Sequence, residues 1–211
     1  MFYDPRDNLR PAPLSHNPLN ALVAPRPIGW IATISTGGAS NLAPFSYFNA
    51  FSADPPLVGF APNSLTAGSE PEEAQSKDTL ANVRSVPEFT VSMVSAGFAE
   101  QMNETSRALP HGESEFEAAG LTPAASRVVK PPYVEGARAV LECTVFDIIA
   151  LPARPGGRVS HLVLGEVIGI HIDDDLIVDG RVDSTALALV SRLGYFDYAI
   201  ADEVFEMPRP E

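Results

Sequence analysis

The sequence predicts a mainly β protein, a closed or nearly closed antiparallel barrel of about six strands with a few short inserted helices. Apolar residues alternate with period two through most of the chain. The runs are separated by short turns rich in Gly and Pro, as between antiparallel neighbours. No alternation of strands with long helices marks a parallel sheet. The 211 residues suffice for a full core without disulfide or metal staples.

The elements follow in order. "PIGWIATIS" (Pro27–Ser35) sets Ile28, Trp30, Ala32 and Ile34 on one face and reads as a strand ended by the turn "TGGAS". "NLAPFSYFNAFSADPP" (Asn41–Pro56) reads as a strand with an irregular beginning. It holds three Phe, one Tyr and three Pro, with Asp54 its one charge. That is too apolar for a surface loop and too rich in prolines and small polar residues for a plain core strand. It suits a flat ligand with apolar faces and a heteroatom-rich edge. "PLVGFAP" (Pro56–Pro62) is a short strand.

"SKDTLANVRSV" shifts to a helical period through Leu80, Val83 and Arg84, with Ser76 or Asp78 placed to cap the start. "EFTVSMVS" (Glu88–Ser95) alternates again. "GFAEQMNETS" predicts a short helix, and "ESEFEAAGLTPAAS" a helical turn ended at Gly120. Two long strands, 137–152 and 158–172, are joined by the turn "ARPGGR" into a hairpin. In the second, Leu162, Leu164, Glu166, Ile168, Ile170 and Ile172 alternate with His161, Val163, Gly165, Val167, Gly169 and His171. Its glycines leave a groove or permit a bend. Glu166, among aliphatic residues, calls for an ion-pair partner, which Arg192 or Arg138 supplies. A last helix, "STALALVSRLG", precedes the C-terminal "YFDYAIADEVFEMPRPE".

Composition excludes several function classes. Asp and Glu number 27 against 14 Lys and Arg, a net charge of −13. A surface so acidic does not suit nucleic acid or an anionic membrane, although one Lys and a few amides still hold a phosphate locally. Cys143 is the one cysteine, so there is neither an intrachain disulfide nor a cysteine metal cluster, and its apolar context "VLECTVF" reads as a buried structural thiol. The N-terminal residues lack a signal-peptide core, and no apolar run approaches a membrane span, so the expected location is cytoplasmic. His16, His111, His161 and His171 are scattered, and no hydrolase, P-loop or dinucleotide fingerprint is present. What remains is the aromatic 41–56 stretch and "SKDT". Lys77, the hydroxyls of Ser76 and Thr79, and the free amides of a helix start suit a phosphate there.

In that order, "RPIGWIATIS", "NLAPFSYFNAFSADPPLVGFAP", "KDTLANV" and "HLVLGEV" resemble the flavin reductase-like family, with "RLGYF" in support. The resemblance spans Asn17 to Tyr198. It implies a six-stranded antiparallel split β-barrel over residues 17–200, between an N-terminal arm (1–16) and an acidic tail (201–211). It also implies a homodimer with FMN at or near the subunit interface, and NADH or NADPH as co-substrate.

The FMN set implied is Thr33, Ala43, Pro44, Phe45, Ser46, Tyr47, Phe48 and Asn49 for the ring system and its surroundings, with Ser76, Lys77 and Thr79 at the phosphate. In reductases of this type a histidine in the strand matching that of His161 lies near the flavin, where nicotinamide stacks. His161 and, second, Tyr195 are the catalytic candidates. The other reading of His161 is a polar residue at a barrel mouth. The expected activity is FMN-dependent NAD(P)H oxidoreduction on a small molecule, with a partner oxygenase as one destination for reduced flavin. A flavoprotein electron carrier, an oxygenase-like enzyme and a non-enzymatic FMN module are the alternatives.

Overall fold

An antiparallel sheet organises the chain. The computed structural model describes residues 1–7, 9–67, 78–107, 109, 113–154 and 158–210. Its sheet strands are β1 (Gly29–Ile34), β2 (Ser40–Phe45), β3 (Phe48–Ala53), β4 (Pro56–Phe60), β5 (Asn63–Ala67), β6 (Glu88–Met93), β7 (Ala139–Ala150) and β8 (Arg158–Ile172). The hydrogen-bonded order is β2-β1-β6-β7-β8-β4-β3, and β5 pairs with the start of β8. Seven strands in series with an eighth at the side correct the expected six. β5 was not legible because "NSLTA" has no apolar alternation; its partner strand creates it.

The strand order shows how the sheet is shaped. β2 and β3 stand at opposite ends of the series, yet only Ser46 and Tyr47 separate them in sequence. Three Cα–Cα steps reach roughly 11 Å at most. The two ends of the sheet are therefore brought side by side, and the sheet is rolled. No strand pairing among the described residues closes it, so the roll has a split at the 46–47 connection.

The interior of the roll is apolar. Ile31, Phe45, Phe48, Phe60, Phe89, Val91, Cys143 and Val163 form its core, with Leu80 and Val83 from helix α1 (Asp78–Ser85). Phe60 lies between Phe45 and Phe89, ring centroids 5.0 and 5.2 Å away. A Cβ on Gly165 would stand 2.3 Å from Phe89, so the space expected to be a groove is filled by that ring. Burial pushes the Cys143 thiol far above its usual range, which makes it inert at neutral pH. A second core covers the other face of β1. There Ile28, Trp30 and Ala32 meet Val94, Phe116, Val190 and Met102, the last from helix α2 (Ala99–Glu104). Trp30 donates its indole N–H to Thr105 Oγ1 at 2.9 Å.

The C-terminal segment departs from the expected long helix. A helix covers only Ser184–Leu187, with Asp183 accepting from the Ala186 amide at 2.9 Å as its cap. Ala188, in the left-handed region at φ 48°, ends it. Val190–Arg192 then pairs with Arg26–Pro27 and with Tyr198–Ile200. Gly194 does not end a helix. It allows Ala21 to pack so closely that a Cβ on Gly194 would stand 2.6 Å from the Cβ of Ala21.

The fully buried carboxylate is Glu142, not Glu166, which is half-buried on the outward face of β8. Arg138 pairs with Asp173 and Asp175, and Arg192 donates to the Tyr198 hydroxyl and the Tyr195 carbonyl. Glu142 accepts from the amides of Arg127 (2.8 Å), Val128 (2.7 Å) and Val129 (3.1 Å), and meets His171 Nε2 at 2.5 Å. Burial alone would raise this carboxyl, but the Arg127 amide, His171 and the two further amides together hold it below its ordinary 4.5. Glu142→Ala leaves those donors unpaired and is expected to cost about 3 kcal/mol in denaturant unfolding. The stabilisation from Glu142 is full above pH 4.5 and is lost as pH falls through the lower folded value. A wild-type-like midpoint in the variant would show that the 127–129 turn does not depend on it.

Candidate functional site

Helix α1 lies against the roll and is pinned by three polar contacts. Its eight residues span about 12 Å. Asn41, on β2, donates from Nδ2 to Thr79 Oγ1 at 3.0 Å. Asn82 donates to Thr33 Oγ1, on β1, at 3.0 Å. Thr33 and Asn41 are cross-strand partners, so both bonds land on one rung of the β1–β2 hairpin. The third contact is Arg84 Nη2 to His161 Nε2 at 3.0 Å, reaching β8. Leu80 and Val83 between these points enter the apolar core.

Thr33 and Thr79 are thus brought together with the start of this helix. Each oxygen accepts from an Asn and retains its own O–H to donate. Ser76 and Lys77, the other expected phosphate residues, lie outside the described residues. Glu115 approaches the same end and accepts the Leu42 amide at 3.0 Å. Burial raises its carboxyl above the ordinary 4.5 against the pull of that amide, and Asp78 adds to the rise.

The 43–49 segment lines the split. Ala43, Pro44 and Ser46 are half-buried, and Asn49 is exposed. The rings of Phe45 and Phe48 point into the core, so what these two offer a ligand is main chain. Tyr47 alone of the three aromatics is exposed, at 49%. Its hydroxyl donates to Asn20 Oδ1 at 2.8 Å. Arg26 lies 6.0 Å from its ring centroid and donates to the carbonyls of Asn20 (2.5 Å), Leu193 (2.9 Å) and Val23. That guanidinium ties the N-terminal helix Leu19–Leu22 to the C-terminal segment beside the split.

His161 is 2% exposed, on the inward face of β8. Nδ1 is shut off from solvent and has no partner among the described residues. Burial and then the Arg84 charge hold the ring below its ordinary 6.5. Tyr195 belongs to a different cluster. It is 47% exposed, takes φ 57°, and packs edge-on against His16 with centroids 5.5 Å apart. Sequence reasoning missed the roles of Asn41, Asn82, Arg84 and Glu115. For Arg84 a signal existed, since it shares a helical face with Leu80. A cavity of about 430 Å³, bordered by Met102, Asn103, Val190, Tyr198, Ile200 and Asp202, contains none of the expected site residues.

Known proteins share this fold. The family described as flavin reductase like domain matches residues 22–192. An uncharacterised protein of Halalkalibacterium halodurans is 38% identical over 188 residues, 89% of this chain and 87% of that protein. Nitrilotriacetate monooxygenase component B from Bacillus cereus superposes with a TM-score of 0.82 at 32% identity, over 94% of this chain and all of that one (100%). A protein with a split barrel domain from Shewanella frigidimarina superposes with a TM-score of 0.76 at 26% identity, over 91% of this chain and 90% of that one. The rolled, unclosed sheet is similar to that split barrel.

The raised Glu115 carboxyl gives a signed prediction. A carboxyl raised on folding weakens the fold once it ionises, and the whole cost is present above its folded value. Glu115→Gln keeps an oxygen for the Leu42 amide and removes the charge. We expect its Tm at pH 7 to rise by roughly 2–4 °C. The gain should fade as pH falls through the raised folded value and be gone below 4.5. A lower Tm at pH 7 would mean that the carboxylate is stabilising.

Proposed function

Since this chain belongs to the flavin reductase-like family, we propose that it is an FMN-binding oxidoreductase of the NAD(P)H-dependent flavin reductase type, acting as a homodimer on a small-molecule acceptor. The observation that carries the reading is the split of the sheet. Residues 43–49, part of the 41–56 stretch singled out by composition, line it, and the start of α1 stands at one end of the β1–β2 hairpin.

These residues fit FMN. β2 is an end strand, with no strand bonded to its outer edge among the described residues, and peptide groups along 43–49 would meet the ligand's polar rim. Tyr47 offers an exposed ring for one wall. Thr33 and Thr79 would hold the phosphate end by their hydroxyls, with Ser76 and Lys77 joining them on sequence grounds. Lys77 is the one basic residue between Arg26 and Arg84, which matters in a chain that is strongly acidic overall. FMN, when bound, supplies hydride and electron transfer that the amino acids do not. The chain's part is to orient, to exclude water and to place a donor or acceptor at the nicotinamide, for which His161 and Tyr195 remain the candidates. The likeness to a monooxygenase component B supports a role in passing reduced flavin to a separate oxygenase.

The proposed dimer has a surface to use. Ile168 and Ile170 on β8, Phe146 on β7 and Phe51 on β3 are exposed. Exposed large apolar residues on strands of one sheet suit contact with a second copy related by a two-fold axis.

Purified protein titrated with FMN is expected to bind about one flavin per chain and to oxidise NADH or NADPH rapidly with free FMN present. Lys77→Ala is expected to weaken FMN binding by roughly 10- to 100-fold, the loss of a charge-assisted contact, with Tm unchanged. Tight flavin without turnover would point to a binding module, and no flavin binding at all would end the proposal. Light scattering is expected to give twice the chain mass. Ile170→Asp should shift the protein to monomer, and a dimer unaffected by it would place the interface elsewhere.

A further inference from the structure

Strand β8 carries two histidines with opposite neighbours. His171 meets the Glu142 carboxylate at 2.5 Å, a partner able to receive a ring N–H. His161 instead faces a guanidinium. Arg84 has only N–H donors, no acceptor, and does not lose its proton. With Nη2 3.0 Å from Nε2, the bond runs from guanidinium to ring, and Nε2 must carry the lone pair. A protonated ring would set N–H against N–H and place two positive charges together. Burial acts in the same direction, and Arg84 is the charged group that acts on this ring among the described residues. The ring's one proton is then on Nδ1, the less favoured position in free neutral histidine. Nδ1 is buried and lacks a partner among the described residues. The main-chain N–H of His161 is already given to Pro62 O at 3.0 Å. Buried donors nearly always have an acceptor.

We propose that Arg84 is a positioning residue that holds His161 neutral with its proton on Nδ1, so that the ring bonds a ligand acceptor, the carboxamide oxygen of a nicotinamide. The ligand half rests on the flavin reductase reading. The tautomer half does not, since it follows from the two side chains alone. On this view the ring never acts as an acid. It serves as a fixed donor that recognises a carbonyl and rejects a ligand presenting an N–H at that point.

The test is ¹⁵N NMR of the imidazole in uniformly labelled protein, with and without FMN. At pH 7 the wild type is expected to show Nδ1–H and a bare Nε2, and to titrate below 6.5. Arg84→Met should move the proton to Nε2 and raise the midpoint. Arg84→Lys, which keeps a charged donor, should retain Nδ1–H. A wild-type ring protonated on Nε2, or a tautomer unmoved in Arg84→Met, overturns the positioning role. Should Arg84→Met fail to fold, the wild-type and Arg84→Lys spectra decide. With FMN-loaded protein, KM for NADH is expected to rise about tenfold in Arg84→Met, with flavin content and kcat little changed, and to recover in Arg84→Lys. A flipped tautomer with unchanged KM overturns the nicotinamide contact and leaves the tautomer assignment standing. The spectra without flavin are unaffected by whether the protein reduces flavin at all.

Discussion

The two-residue connection Ser46–Tyr47 is the constraint on which the rest of the structure depends. It joins the strands that end the hydrogen-bonded series, and so forces an open sheet to roll. Rolling creates an interior that must be filled, and four phenylalanines fill it. It also leaves a seam with an unpaired strand edge, a liability in most sheets. Here the seam is lined by half-buried Ala43, Pro44 and Ser46. One connection thus generates both the core and the candidate site.

Helix α1 links that core to polar chemistry. Its apolar face enters the roll through Leu80 and Val83, while Thr79, Asn82 and Arg84 each find a strand partner. Amide–hydroxyl bonds of this type contribute modestly to net stability but fix direction and register. A helix held by apolar contacts alone could slide. One held at three points presents its start, and the ring of His161, in fixed places. Position is what a protein must supply when a cofactor carries the chemistry.

The two buried glutamates show how little the residue type decides. Glu142 and Glu115 are both removed from water. Glu142 has three amides and an imidazole aimed at it and is held low. Glu115 has one strand amide and lies near Asp78, and is held high. The displacement in each case is set by the number and sign of neighbouring groups, all brought there by distant parts of the chain.

Period-two alternation, proline and glycine punctuation and the composition of 41–56 determined, from sequence alone, the mainly β class, most strand positions, helix α1 and the segment that lines the split. These depend on neighbours within a few residues, which is where sequence carries information. Residue types within 41–56 did not reveal that Phe45 and Phe48 turn inward and leave Tyr47 exposed, because a strand's two faces are told apart only by what packs on them. The same holds for β5, whose pairing is created by β8, and for Gly165, whose space is taken by Phe89 from another strand. Arg84 meets His161 across 77 positions of chain. Only the tertiary structure decides such a contact, since the rolled sheet, and no local preference, sets which side chains stand 3 Å apart.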